Sequence, residues 1–296
     1  MKRVIKSGLR AAHLEMFRED KIWARYSNDK VDIGETLAKA IRTLHKSIPL
    51  SKNIKALSVG SSNEPQFRIL ETVFRGGLYL MDIEKESLDI VRERVQRQFT
   101  THVKTIQADY RKLFQKEKTT KDFFKKMLNG KKVELIVLHH SLYYAQEEQW
   151  NAIVENLFKV ILAEKGVIHM VLMSSESKNS YSTTWLYNHF AGKFFNHKNN
   201  QDLLRFKKKL LENPNLRKTQ IVSKTSNIKC FVKDFNKFMA IVWMILLYPN
   251  VHKYNLAQRK EITSFIYNRF YRKKRPLLQK QDHVVIYRGL DLKGLI

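Results

Sequence analysis

The sequence predicts an α/β fold built on a mostly parallel sheet, and three observations support this prediction. Short apolar segments alternate with amphipathic segments from residue 54 to residue 173. The apolar segments have the length of strands, whereas the amphipathic ones repeat their apolar residues every three or four positions, as helices do. Five strands separated by four helices in this rhythm are typical of βαβ units, whose right-handed crossovers place helices on both faces of the sheet.

The elements follow one another in a regular order along the chain. A helical N-terminal region comes first, in which Leu37, Ala40, Ile41 and Leu44 form one apolar face within residues 34–48. The alternating part then begins. Its predicted strands cover 54–59, 78–83, 103–109, 133–142 and 166–173, and its predicted helices cover 65–75, 84–99, 119–131 and 147–162.

The rhythm changes after residue 173. Helices are predicted near 182–195, 201–212, 234–247 and 255–271, and strands near 219–224, 228–232 and 283–288. No repeat or low-complexity linker is visible, so we expect this region to pack on the sheet. The predicted organisation is therefore a Rossmann-like, mostly parallel seven-stranded sheet with a helical substrate-cap region. We expect an N-terminal helical lid at 1–50, the core at 51–175, and the cap with the last strands at 176–296.

Composition excludes several classes of protein. An apolar content of 43% over 296 residues is ample for a packed core, so the chain is not of a disordered type. The single cysteine, Cys230, cannot form an internal disulfide and is expected to be buried, which fits a reducing, cytoplasmic environment. The first 20 residues are charged throughout and contain no apolar core of the kind a signal peptide has, so no signal peptide is expected. The most apolar stretch, 238–248, is about half the length that spans a bilayer, so we expect no transmembrane segment.

The net charge is strongly positive. The chain has 55 Lys and Arg against 28 Asp and Glu, which gives +27. Such a charge favours contact with nucleic acid, anionic lipid or an acidic partner. The alternative is that base composition alone enriched the chain in lysine, because the basic residues are spread out and form one tight cluster, at 271–276. Nucleic acid is therefore a possible partner but is not favoured.

The segment ALSVGSSNEPQ, residues 56–66, indicates a ligand site at the end of the first strand. Gly60 tolerates unusual backbone angles, and backbone N–H groups at Ser61 and Ser62, ahead of a helix, favour an anion. The motif is neither a P-loop nor a G-x-G-x-x-G dinucleotide loop. Glu64 would repel a pyrophosphate. It suits a ligand that carries an amino group beside its carboxylate, as the amino-acid end of S-adenosylmethionine does.

Acidic residues also end the next two strands. Asp82, with Ile83 beside it, is placed to accept hydrogen bonds from ribose hydroxyls, although a helix N-cap is the plainer interpretation. Asp109, flanked by Tyr110, is placed to accept a hydrogen bond from the exocyclic amine of adenine. An amino-acid tail, a sugar and a purine held across three successive strand ends are typical of class I methyltransferases.

Several segments support a closer relationship. They are SVGSSNE at 58–64, HHSLYY at 139–144, the Ser-rich stretch and Trp-containing helix at 174–195, and IKCFVKDF with the apolar helix after it at 228–245. Together they resemble histamine N-methyltransferase and its relatives, whose first loop reads Ser-Ile-Gly-Gly-Gly-Ala-Gly-Glu. Here the loop is one residue shorter, and two family glycines are Ser. The resemblance implies S-adenosylmethionine as cofactor, S-adenosylhomocysteine as product, and N-methylation of a small amine or heteroaromatic nitrogen in an enclosed pocket.

The resemblance also implies substrate-side residues. Asp29 falls on a family glutamate and keeps a carboxylate for pairing with a cationic amine. His140 falls on a substrate-facing glutamine. An imidazole titrates near neutral pH, so His140 is a candidate base, and a space-filling histidine is the equal alternative. His139 should point to the opposite face of the strand, on the cofactor side.

Aromatic residues complete the expected site. Tyr143 and Tyr144 are candidates for lining the pocket beside the sulfonium, whose positive charge attracts aromatic faces, although core packing explains them as well. Trp185 is a candidate for capping the substrate, although an aromatic residue at helical spacing is more often part of the core. No metal site is expected, because the adjacent histidines at 139–140 point two ways and no other cluster has ligand spacing.

Two other functions stay open. An RNA or protein methyltransferase would use the basic surface as an open groove, but the strand-four ending HHSLYY lacks the Asn/Asp-Pro-Pro-aromatic signature of enzymes that methylate base amines. A non-catalytic scaffold with the same fold would explain the lost glycines and would bind no cofactor.

Overall fold

A seven-stranded sheet is the centre of the computed structural model, which describes residues 2–13, 16–49, 53–60, 66–246 and 253–292. The strand order is β3-β2-β1-β4-β5-β7-β6. The strands are β1 Lys55–Val59, β2 Gly77–Asp82, β3 Val103–Gln107, β4 Val133–His139, β5 Leu162–Met173, β6 Thr219–Cys230 and β7 Leu277–Arg288.

Most of the sheet is parallel, as predicted. β1 pairs in parallel with β2 on one side and with β4 on the other. β2 pairs in parallel with β3, and β4 with β5. The sheet also contains antiparallel pairs, so it is mixed.

Helices connect these strands and follow the predicted alternation. In the described residues they are α1 Lys2–Arg10, α2 Met16–Tyr26, α3 Asp29–Ser47, α4 Gln66–Val73, α5 Lys85–Arg97, α6 Tyr110–Phe114, α7 Glu117–Met127, α8 Glu147–Asn156, α9 Thr183–Phe195, α10 Leu203–Glu212, α11 Phe235–Ile245 and α12 Leu256–Ile266. A π-helical turn continues α8 over Leu157–Ile161, and another continues α12 over Tyr267–Tyr271.

Helices cover both faces of the sheet, which confirms the predicted α/β layering. Successive residues of a strand point to opposite faces. Leu57 accordingly belongs to one buried apolar cluster with Trp150 of α8. Its neighbour Ala56 belongs to a second cluster with Leu37 of α3. Each face of the central strands is therefore buried beneath its own layer of helices.

β6 differs from the prediction of two short strands. The structure contains one continuous strand of 12 residues, which lies at the edge of the sheet. The polar residues near its middle suggested a break, but burial alternates residue by residue from Thr225 to Cys230. An edge strand packs only part of its surface against the core, so polar residues do not interrupt it.

The chain divides into two compact units. The first unit contains Met1–Asp32, Met173–Asn200 and Ser226–Gln281. The second contains Ile33–Leu172, Gln201–Thr225 and Asp282–Ile296. Most of α3 and all of α10 belong to the second unit, where their apolar residues pack in clusters with the strands. The lid, core and cap segments stay a prediction.

The first unit has an aromatic core of its own. Trp243, Phe238 and Phe190 are almost fully buried in one cluster with residues of α9, α11 and α12. The apolar stretch that begins at residue 238 lies in this core as far as residue 246, and residues 247 and 248 lie outside the described part. Among the described residues, no helix combines the length and apolarity needed to cross a bilayer. Cys230 is buried as predicted, and burial raises the pKa of its thiol to about 12, so it is no nucleophile.

A prediction for stability comes from Gly76, between α4 and β2. A Cβ at this position would lie 2.0 Å from the backbone oxygen of Asn53, so the backbone must shift to accommodate it. We expect Gly76→Ala to lower the free energy of unfolding by about 2 kcal/mol or more, measured by urea denaturation.

Gly34→Ala is the matched control in the same unit. It lies inside α3, and its nearest contact would be Ile69 Cδ1 at an ordinary 3.7 Å. Alanine there should raise stability by up to about 1 kcal/mol, because it lowers the entropy that a helix loses on folding. Equal effects of the two substitutions would contradict the prediction.

Candidate functional site at the carboxyl edge of the sheet

The carboxyl ends of four strands form one edge of the second unit. Because β3, β2, β1 and β4 are neighbours and run in parallel, their C-terminal residues lie side by side. Backbone hydrogen bonds continue beyond the strands. Gly60 N donates to Met81 O at 2.7 Å, and Ala108 N donates to Asp82 O at 3.0 Å. Open α/β sheets bind ligands at this edge.

Gly60 brings the end of β1 against the end of β4. Its φ is +71°, and a Cβ there would lie 2.7 Å from Ser141 Cβ. Only glycine adopts this φ readily and also has no Cβ to clash with Ser141. The glycine after β1 is therefore required on steric grounds. The remaining residues predicted for this loop, Ser61, Ser62 and Glu64, lie outside the described residues.

The end of β2 presents an acceptor beside an apolar side chain. Asp82 Oδ1 accepts a hydrogen bond from Glu84 N at 3.0 Å. The N-cap of α5 is Glu84, so Asp82 is not the helix cap that its plainer interpretation suggested. Ile83 is 55% exposed, which is unusual for a large apolar residue in this chain. A carboxylate and an exposed apolar side chain are thus adjacent at this edge.

The end of β3 is held by an ion pair. Asp109 caps α6 by accepting from Arg111 N at 3.0 Å. The Arg111 side chain also grips both carboxylate oxygens, with Nε 2.9 Å from Oδ1 and Nη2 2.8 Å from Oδ2. These hydrogen bonds from Arg111 hold the pKa of the Asp109 carboxyl below its usual value. Arg111 was not predicted from the sequence, although an arginine two residues after a strand-end Asp is a signal that could have identified it.

Tyr110 links β3 to β4. Its ring is buried, and its hydroxyl donates to Ser141 O at 2.7 Å. The sequence predicted that Tyr110 flanks the bound base, but the hydroxyl has this internal partner. Tyr110 therefore helps to hold the segment after β4 in place.

Side chains hold every backbone carbonyl from Ser141 to Ala145. Besides Tyr110, Arg111 Nη1 donates to Tyr144 O at 3.0 Å. Trp150 Nε1 bonds the carbonyls of residues 142 and 145 at 3.1 and 3.2 Å. Gln201 Nε2 donates to those of residues 143 and 145 at 3.1 and 3.0 Å. Donors from separate parts of the second unit thus fix this short segment, which we call the β4 loop (residues 141–145).

His140 joins β4 to the β4 loop in a constrained conformation. Its φ is +54°, which is uncommon for a non-glycine residue, and its N–H donates to Val171 O at 2.9 Å. The ring lies nearly parallel to that of Tyr143, with centroids 5.9 Å apart, and Nδ1 is 3.4 Å from the Tyr143 hydroxyl. His140 and Tyr143 are both half-buried, and the contact between their rings holds the two side chains together at the edge of the sheet.

His139 belongs to a chain of three buried histidines. Its Nε2 lies 3.0 Å from His169 Nδ1 on β5, and His169 Nε2 lies 3.1 Å from His283 Nδ1 on β7. All three rings are at most 1% exposed. β4 ends at His139, so simple strand alternation does not orient the two adjacent histidines. Of these three histidines, only His139 was predicted from the sequence.

Ser141 carries an orphaned polar atom. The residue is fully buried, and within the described part of the chain its Oγ has no hydrogen-bond partner. Such atoms are rare in native proteins, because an unsatisfied buried hydroxyl is unfavourable. Its position beside Gly60 makes a bound ligand one explanation.

Asp29 and Trp185 lie in the first unit. Asp29 opens α3, is fully buried, and accepts a hydrogen bond from Trp23 Nε1 at 3.0 Å. Trp185 is half-buried in α9, and its ring stacks on that of His189 with centroids 4.5 Å apart. The Asp29–Trp23 contact was not foreseen, since an indole six residues earlier gives no motif.

Across the described ranges, no group of three or more His, Cys, Asp or Glu side chains is placed to hold a metal ion.

Comparisons with known proteins support the fold. No protein-family model and no curated protein sequence matches the chain. The chain is similar to the crystal structure of the YcgJ protein from Bacillus subtilis, with a TM-score of 0.52 and 10% identity, covering 84% of this chain and 97% of that one. At this identity the similarity shows a shared fold alone.

Other similar structures are more distant. A putative methyltransferase, BH2331 from Bacillus halodurans C-125, has a TM-score of 0.46 and 12% identity, with 83% of this chain and 96% of that chain covered. The N-methyltransferase NodS from Bradyrhizobium japonicum WM9, in complex with S-adenosylhomocysteine, has a TM-score of 0.41 and 10% identity, with 86% of each chain covered. The similar solved structures thus include proteins named as methyltransferases.

The β4 loop yields a prediction about local rigidity. Gln201→Leu removes the amide that donates to two loop carbonyls, so the loop should open more often. We expect amide hydrogen exchange across residues 141–146 to speed up by about tenfold, the effect of losing about 1.4 kcal/mol of local stability.

The control for this prediction is Asn156→Leu. It removes another amide donor of the second unit, whose Nδ2 bonds Phe114 O at 2.9 Å. It should leave exchange in residues 141–146 unchanged, as read by mass spectrometry. Faster exchange in that segment with both variants would indicate general destabilisation and would contradict a specific role of Gln201.

Proposed function

We propose that the protein is an S-adenosylmethionine-dependent methyltransferase that methylates a nitrogen of a small amine or heteroaromatic acceptor. One observation carries the proposal. Gly60, Asp82, Asp109 and the β4 loop stand at the carboxyl ends of four neighbouring parallel strands, in the spatial order β3-β2-β1-β4. The seven-stranded topology and the fold shared with the similar structures are consistent with it.

The residues at this edge fit the cofactor. Gly60 leaves space where a Cβ would meet Ser141, and Ser141 supplies a buried hydroxyl that needs a partner. Asp82 is proposed to bind the ribose hydroxyls, with Ile83 against the adenine. Asp109 is proposed to accept from the adenine amine, oriented by its ion pair with Arg111.

Other roles rest on the sequence. Ser61, Ser62 and Glu64 are proposed to bind the carboxylate and amino group of the cofactor's amino-acid tail. His139 and Tyr110 are proposed to support the cofactor from behind, since both rings are buried. Tyr143 and Tyr144, on the β4 loop, are proposed to line the pocket near the sulfonium.

The chemistry asks mainly for orientation. When bound, the cofactor would supply a methyl group bonded to a positively charged sulfur. A nitrogen lone pair would attack the methyl carbon in line with the breaking C–S bond, and the sulfur would leave as a neutral thioether. Much of the acceleration of such a step comes from alignment of the reacting atoms. The β4 loop is suited to this role, because its five carbonyls are all held by side-chain donors.

His140 is proposed to take a proton from the acceptor nitrogen at its Nε2. This role requires the hydrogen of the neutral ring to be on Nδ1, which faces the Tyr143 hydroxyl at 3.4 Å. Asp29 is proposed to pair with the cationic end of the acceptor, and the indole of Trp23 keeps its carboxylate oriented. Trp185 is proposed to cap the substrate.

Cofactor binding is tested by calorimetry with S-adenosylhomocysteine. We expect the wild type to bind, and Asp82→Asn to weaken binding by at least about tenfold, because the amide replaces a charged acceptor of two hydroxyl hydrogen bonds. Asp122→Asn, a matched change of an exposed residue on α7, should have no effect. No heat with the wild type, for either S-adenosylmethionine or S-adenosylhomocysteine, would favour the non-catalytic scaffold.

The acceptor class is tested by turnover of labelled S-adenosylmethionine with a panel of biogenic amines and, separately, with total RNA. Asp29→Asn keeps an oxygen for Trp23 but loses the charge. It should lower amine turnover by more than about tenfold, while affinity for S-adenosylhomocysteine stays within about threefold. Turnover of RNA alone, or amine turnover indifferent to the substitution, would overturn the proposed acceptor.

A further inference from the structure

Exposed cations of the first unit differ from many in the second unit in their ion pairing. In the second unit, several exposed lysines pair with a carboxylate one helical turn away, such as Lys85 with Asp89 and Lys121 with Glu117. In the first unit a set of exposed cations lacks such pairs. Within the residues that the structure describes, no carboxylate lies within ion-pair distance of Arg25, Lys229, Lys233, Lys237 or Arg272.

Three of the first unit's cations surround one cleft. The cleft lies between α2 and α11 and has a volume of about 150 Å³. It is lined by Lys21, Arg25 and Lys237 together with the half-buried side chains of Ile22 and Tyr26. No acidic side chain of the described residues lines it. Lys21 and Arg25 are one turn apart on α2, so two like charges lie side by side on this helix.

Backbone contacts place further cations beside this cleft. Ser27, next after α2, forms an antiparallel bridge with Cys230, and Asn28 Oδ1 accepts from Lys229 N at 2.8 Å. The Lys229 side chain is exposed at this junction. Lys233 lies in the short segment between β6 and α11, and Lys237 is in the first turn of α11.

Tyr271 extends the same surface. Its hydroxyl donates to Lys233 O, and Arg272, the next residue, is exposed. The members are thus connected through α2, the end of β6, the start of α11 and the segment after α12. We call this set the basic strip; its residues are Lys21, Arg25, Lys229, Lys233, Lys237 and Arg272.

Two carboxylates border the strip, and each has a partner within the protein. Asp20 lies 3.9 Å from the buried Lys30. Asp234 caps α11 by accepting a hydrogen bond from Lys237 N at 2.9 Å. Within the described residues, five of the six strip cations, all but Lys21, are exposed with no ion pair, and such a concentration of positive charge favours a bound polyanion.

Aromatic rings lie among these cations. The Arg25 guanidinium is 5.7 Å from the centroid of the Tyr26 ring. Phe231 and Tyr271 are stacked with centroids 6.4 Å apart. All three rings are half-buried and so keep part of their surface accessible. Cations with interspersed aromatic faces are the surface that single-stranded nucleic acids recognise, because phosphates pair with the cations and bases stack on the rings.

An anionic membrane fits less well. Amphipathic surfaces that bind lipid carry exposed apolar side chains, which enter the acyl region. The exposed large apolar residues of the described chain are Val31, Ile83, Phe99, Met127, Leu211 and Leu256. None of these residues lines the cleft or belongs to the basic strip, so the strip has charge without an inserting face.

We propose that the basic strip binds the phosphodiester backbone of a single-stranded nucleic acid. The proposal does not depend on methyl transfer, because all six residues lie in the first unit and none is assigned to the proposed site. Tyr26, which lines the cleft with three of the cations, offers a face for one base.

The test is the binding of a fluorescein-labelled single-stranded RNA of about 20 nucleotides, followed by anisotropy between about 50 and 200 mM salt. The triple variant Arg25→Gln, Lys229→Gln, Lys237→Gln should bind more than about tenfold more weakly. The slope of log affinity against log salt should become shallower by about 2, since each lost phosphate contact removes about 0.7.

The matched control is Lys118→Gln, Lys125→Gln, Lys126→Gln on α7 of the second unit. It removes the same charge from exposed lysines. It should leave affinity and slope close to wild type, and circular dichroism melts of both variants report folding. Equal weakening by both triples, no RNA binding by the wild type at low salt, or binding to phosphatidylserine vesicles without binding to RNA would overturn the proposal.

Discussion

Parallel pairing on both sides of β1 is the constraint on which the candidate site depends. Since β2 and β4 run in the same direction as β1, all three strands end at one edge of the sheet, and the backbone must turn there within a small space. The contact between Gly60 and Ser141 shows how small that space is, because the two residues approach too closely for any side chain at position 60. Asp82, Asp109 and the β4 loop all take their places from this convergence.

The two units use charge in different ways. At the edge of the second unit, charges are paired within the protein: Arg111 holds Asp109 and at the same time reaches Tyr144 O. This internal pairing orders the edge before any ligand arrives, which is what positioning requires. The basic strip of the first unit has the opposite property, because five of its cations, Lys21 apart, have no carboxylate within ion-pair distance among the described residues. The net charge of +27 is therefore the sum of two different arrangements: paired charges at the edge of the sheet and exposed cations in the basic strip.

The sequence predicted the layout of the sheet well, because strand length and alternating periodicity are local properties. β1 to β5 lie within a few residues of their predicted ranges, and the glycine after β1 was identified from its neighbours. The contacts that order the site were not predictable, since they join residues far apart: Tyr110 to Ser141, and Gln201 to the β4 loop. Local pattern also misjudged β6, where a polar middle conceals a continuous edge strand.

The line of imidazoles formed by His139, His169 and His283 has a directional consequence. Each N···N contact needs one hydrogen, and a neutral ring carries only one. If all three rings are neutral, they must therefore share the same tautomer, either Nε2–H throughout or Nδ1–H throughout. Changing the tautomer of one ring requires changing the tautomers of the others. The position of the hydrogen on His139 of β4 is therefore coupled to that on His283 of β7, two strands away. The hydrogen bonds between the imidazoles thus have a common direction across the sheet, perpendicular to its strands, which all three rings set together.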